Sequence, residues 1–139
     1  MNDKPLFQMQ ALFESNPKER IPKITVAADG SILAFTQSCG LLRISEDAGD
    51  SWGPVQELES GGSNVILDGN TGDLMLVLPS KDVLWRSRDH GRSWHREEAE
   101  FLPNGLGHGT SRNSPAGGGC SESGITLRHG PHQGRLLMP

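Results

Sequence analysis

Apolar residues recur along this chain in short bursts, not in helical stripes. KITVAA (23–28) runs into Asp29-Gly30 and is followed by SILAFT (31–36). Apolar and β-branched runs around a glycine turn are the signal of a β-hairpin. GLLRIS (40–45) reads as a third strand and VQELE (55–59) as a fourth. The same order then returns as NVILD (64–68), DLMLVL (73–78), DVLWRS (82–87) and HREEAE (95–100). Ahead of all this, PLFQMQALFES (5–15) places Leu6, Met9, Leu12 and Phe13 at helical spacing, while an extended start stays open there.

The second set copies the first at a displacement of 42 residues: ADGSILAFTQSCGLLRISEDAGDSW (28–52) lies over NTGDLMLVLPSKDVLWRSRDHGRSW (70–94) without a gap. Gly30 falls on Gly72, Leu33 on Met75, Leu42 on Leu84 and, upstream, Ile24 on Ile66. Each copy closes in a Ser-x-Asp-x-Gly-x-Ser-Trp box, made by Ser45, Asp47, Gly49, Ser51 and Trp52, then by Ser87, Asp89, Gly91, Ser93 and Trp94. An Asp in a tight turn accepts backbone N–H bonds, a Gly takes positive φ, and a Trp plugs the gap between strands. One polar turn written twice at a fixed interval predicts a fold device, with direct action of Asp47 and Asp89 on a substrate or metal as the weaker alternative.

A third unit begins at SGITLRHGPHQGRLLMP (123–139), where Gln133-Gly134-Arg135-Leu136-Leu137 echoes Asp29-Gly30-Ser31-Ile32-Leu33. Gly72 and Gly134 lie 62 apart, which predicts an insertion of 20 residues within 101–122. Four short strands in some 42 residues match the blade of a β-propeller. The expected fold is therefore all-β. A segment 1–17 should precede two four-stranded blades, at about 20–60 and 61–102, and the start of a third at about 120–139. Closed propellers hold about four to eight blades, so this reading makes the chain part of a larger ring.

Composition narrows the function classes. Of 139 residues only 34% are hydrophobic, and 18 Gly with 9 Pro demand many turns. A net charge of −4 from mixed acids and bases offers no basic stripe for nucleic acid. No apolar run reaches membrane-spanning length. The first residues lack the features of a secretory signal, so either the protein stays inside the cell, the cytoplasmic default, or its true beginning is absent, and the compartment stays open. Cys39 and Cys120 are too few for a disulfide framework and read as small thiols. The histidines (His90, His95, His108, His129, His132) have no Cys or acidic partner at ligand spacing, so no metal and no cofactor is expected. GLGHG (105–109) follows FLPN instead of a strand, which argues against a phosphate cradle. Ser121 and Ser123 lack the flanking glycines of a nucleophile elbow, and Trp85 reads as core.

The two boxes resemble the Asp-box, or BNR, repeats of the sialidase (neuraminidase) superfamily. ERIPKITVAADGSILAFTQ (19–37) is similar to the opening of such a domain, GGSNVILDGNTGDLMLVLP (61–79) to its second blade, and SESGITLRHGPHQGRLLMP (121–139) to its third. The resemblance covers roughly residues 18–139 and implies a six-bladed propeller. It also implies that Arg20, in Arg-Ile-Pro, is the first of three arginines clamping a sialic acid carboxylate, a role its planar fork of donors suits. Read alone, Arg20 is an ordinary surface cation beside Glu14 or Glu19. The family's acid/base aspartate belongs in the loop TQSCG (36–40), which has no carboxylate, and its nucleophile is a tyrosine, which the chain lacks entirely. Glu122, in the inserted loop, is a second candidate site residue.

The expectation is thus the N-terminal part of an exo-α-sialidase-type glycosidase, inactive as this chain, with a sialylated or other acidic glycan as partner. The alternative is a non-catalytic Asp-box propeller that binds glycan or protein. Two blades and a hairpin also leave open strand edges, so self-association is expected.

Overall fold

The computed structural model describes residues 9–14, 21–36, 38–61, 64–78, 82–100 and 123–138. They form an all-β structure, without a helix among the described residues. Strands β1 (Lys23–Val26), β2 (Ile32–Thr36), β3 (Leu41–Ser45) and β4 (Gln56–Glu57) make one antiparallel sheet in sequence order. Strands β5 (Asn64–Leu67), β6 (Leu74–Leu78), β7 (Val83–Ser87) and β8 (His95–Glu98) make a second. Strands β9 (Ile125–Thr126) and β10 (Leu136–Leu137) pair as a hairpin, and among the described residues no sheet closes on itself.

The repeat carries through to atomic register. Pairing in β2–β3 runs from Ile32 with Ser45 to Thr36 with Leu41; in β6–β7 it runs from Leu74 with Ser87 to Leu78 with Val83, the same register 42 residues on. The first strands depart from that spacing. Lys23 pairs with Phe35, but Asn64 pairs with Val77, so Lys23 corresponds to Asn64 and Ile24 to Val65, not to Ile66. The cause is the turn between the strands, which spans residues 27–31 in the first sheet and 68–73 in the second. The longer turn feeds its strand in one residue earlier, and a one-residue slip exchanges the two faces.

All three hairpin turns close alike. The N–H groups of Ala27, Asp68 and Leu127 donate to the carbonyls of Ser31, Asp73 and Arg135, while those of Gly30, Gly72 and Gly134 donate back to residues 27, 68 and 127. Each of these glycines has positive φ, at 90°, 82° and 86°. Residues 125–137 thus form a third hairpin whose turn closes in the same way.

Alternation along the strands decides the stacking. Leu33, Phe35, Leu42 and Ile44 project from one face of the first sheet into a core shared with Val65, Leu74, Leu76, Val83 and Trp85 of the second. On its far side the second sheet buries Ile66, Met75 and Val77 against Leu136 and Met138 of the third unit. Each fully buried apolar side chain of this size stabilises the stack by about 1.5–3 kcal/mol. The first strands of the units gather together: β1 lies beside β5, Gly124 N–H donates to the Val65 carbonyl, and the Ser123 hydroxyl donates to the Ile24 carbonyl. Gly124 fits there because a Cβ would collide with Ile66.

The other face of the first sheet is open along β1, although Ala34 and Thr36 of β2 are buried there. Ile24 and Val26 are 62% and 52% exposed, whereas Val65, the counterpart of Ile24, is wholly buried. Of the described residues, Leu12 in the segment 9–14 meets Arg43, which donates to its carbonyl at 2.8 Å.

Candidate functional site

Box chemistry is the same in both copies. The Ser45 hydroxyl donates to Asp47 Oδ1 at 2.8 Å and accepts the Gly49 N–H; Ser87 does the same for Asp89 and Gly91. Ser51 gives its N–H and its hydroxyl to the two carboxylate oxygens of Asp47, at 2.8 and 2.5 Å, and Ser93 treats Asp89 identically. The chain can fold so tightly because Ala48 and Gly49, like His90 and Gly91, take positive φ. Donation from Ser51 and Ser45 outweighs slight desolvation and holds the Asp47 carboxyl at about pKa 2. For Asp89, burial pushes upward, yet the donors from Ser93, Ser87 and Arg92 prevail and hold it at about 2 as well. Three of roughly four acceptor positions on each carboxylate are filled from within the turn. These aspartates lock loops and are poorly placed for catalysis.

Arg92 ties the units together at the box end. It reaches from the second box to Asp29 of the first hairpin turn at 3.1 Å and to Glu46 of the first box at 2.5 Å, and it also donates to the Asp89 carbonyl. Sequence reading passed over Arg92, since its value depends on which faces of two sheets meet; its offset position inside a repeated box is the one available hint.

The opposite end of the sheets carries a different chemistry. Lys23 and Asn64, at equivalent first positions of β1 and β5, are both buried, and Lys23 Nζ donates to Asn64 Oδ1. Beside them Cys39 is fully buried, and the Ser60 hydroxyl donates to its carbonyl at 2.9 Å. Burial pushes the Cys39 thiol up to about pKa 11, against the opposing pull of the Lys23 charge. Cys39 is thus an inert thiol at physiological pH.

Arg20 and Glu122, the residues proposed to meet a substrate, lie outside the described residues. The described chain resumes at Ile21, whose φ of 64° is strained for a β-branched residue, and Pro22 leads into Lys23 at this polar end. Among the described residues no three His, Cys, Asp or Glu side chains gather as a metal site, and no helix is long and apolar enough to cross a membrane. Scans of the chain against protein-family models and against curated proteins find no match.

Proposed function

We propose that the two sheets and the third hairpin are the first blades of a six-bladed sialidase-like propeller. In that reading the assembled ring hydrolyses terminal α-linked sialic acid or a related acidic sugar, and Arg20 grips the carboxylate. The observation that carries it is the regular stacking of two box-bearing four-stranded sheets, with the first strands of all three units drawn together. The open face around Ile24 and Val26 supports further sheets, because the second sheet buries its matching face. Isolated, the same open face would draw chains together.

A second reading, a non-catalytic propeller module that binds glycan or protein, is favoured by the β2–β3 loop. Residues 37–40 hold no carboxylate, and the buried thiol of Cys39 cannot stand in for an acid. Hydrolysis of a fluorogenic sialoside by the product of the complete reading frame separates the two. Turnover abolished by Arg20→Ala supports the glycosidase; no turnover above a heat-killed control, with glycan binding retained, selects the binding module.

A further inference from the structure

We propose that the groove between the outer strand of the first sheet and the second box binds a neutral oligosaccharide. Two open clefts of about 540 and 250 Å³ adjoin there, with Gln56 and Arg92 lining both. The larger falls within the size range of ligand clefts, about 300–1,000 Å³. All three tryptophans of the chain line this one groove, Trp52 in its larger part and Trp85 with Trp94 in the smaller. Trp94 is fixed in place, its ring edge-on to Phe35 and its Nε1–H donated to the Gly91 carbonyl at 3.0 Å. An indole so held offers a rigid apolar face of the kind on which a sugar ring rests.

The charges select the ligand class. Arg92 spends its donors on Glu46, Asp29 and the Asp89 carbonyl, so an anion would find no ready guanidinium and would meet Glu46, Asp47, Glu57 and Glu59 instead. Arg92 already pairs with Glu46, and Ser51 already donates to both oxygens of Asp47. A cation would therefore be left chiefly with the exposed carboxylates of Glu57 and Glu59, whose attraction solvent screens. What remains for recognition is aromatic surface, the Gln56 amide and backbone polar groups, the complement of an uncharged polyol ring. This groove follows the outer strand β4, on the opposite edge of the first sheet from β1 and Lys23.

Calorimetric titration of the full chain with cellohexaose, maltohexaose and chitohexaose, beside sialyllactose and hexalysine, tests the assignment. At least one neutral hexasaccharide is expected to bind with a Kd of about 1 mM or tighter, and Trp52→Ala and Gln56→Ala are each expected to weaken it about tenfold. Trp52→Phe should retain most of the affinity. Gln56 lies at an outer edge, so Gln56→Ala remains informative even where Trp52→Ala misfolds. Absence of neutral-sugar binding up to about 10 mM, equal binding by Gln56→Ala and wild type, or preference for either charged probe overturns the proposal.

Discussion

Gly91 of the second box lies so close to the Leu33 side chain of the first sheet that no Cβ fits between them, while Gly49, at the same place in the first box, faces open space. The two share one backbone conformation, with φ of 94° and 93°. Alanine at either position adds the strain of a left-handed residue, about 1–2 kcal/mol. At Gly91 alone it also forces a methyl group into the shared core, an overpacking of about 1–3 kcal/mol. Gly91→Ala should therefore melt below Gly49→Ala, by about 4 °C for each kcal/mol of difference in a domain of this size. Equal melting temperatures would contradict the docking of the second box on the first sheet.

The box aspartates shape the acid side of the stability curve. Asp47 and Asp89 have folded pKa values of about 2, below the ordinary carboxylate value of about 3.9. Since the folded value is the lower, the unfolded chain takes up protons first as pH falls. The stabilisation is complete above the unfolded value and is lost as pH drops through the folded one. Solvent reaches both groups, so the effect is modest. Ser93→Ala removes a donor from Asp89 and should lower the urea midpoint most at pH above about 4, with the gap to wild type narrowing toward about pH 2. A gap that stays constant across this range would show that the hydroxyl acts otherwise than through the carboxylate.

Strand positions, the box and the third hairpin turn were legible in the sequence because each rests on local chemistry. Alternation gives the strands, and Gly30, Gly72 and Gly134 mark turns that only positive φ can close. The offset of the first strands was not legible. NVIL is apolar at nearly every position, so sliding it by one residue changes no pattern, and only the length of the turn at 68–73 decides which of Val65 and Ile66 faces the first sheet. The Arg92 clasp and the tryptophan groove were hidden for a related reason, since their members come from two sheets whose facing surfaces no one-dimensional pattern names. The role proposed for Arg20 rests on a resemblance; nothing in its own spacing marks it.

Lys23 and Asn64 should behave as one energetic unit. They hold matching positions in successive sheets, both are buried, and the ammonium donates to the amide oxygen. A hydrogen bond to a charged group contributes about 1.5–3 kcal/mol. In a cycle of Lys23→Met, Asn64→Leu and the double variant, measured by urea unfolding, the double variant should be more stable than the sum of the singles predicts, by an amount of that order. Additivity within about 0.5 kcal/mol would mean that the two side chains are energetically independent.

The open face of the first sheet should govern solution behaviour. Ile24 and Val26 project from β1, an edge strand, and are more than half exposed, whereas the matching Val65 is sealed under the first sheet. Apolar surface of this kind is a site of association, and lysine on an edge strand is a common safeguard against it. The chain should therefore show a light-scattering mass that rises with concentration. Ile24→Lys combined with Val26→Lys should restore a constant monomer mass with little change in melting temperature, because neither side chain is buried in the shared core. If the double variant associates as strongly as the original, contact must run through the hydrogen-bonding edges of β1 and β4 instead of this face.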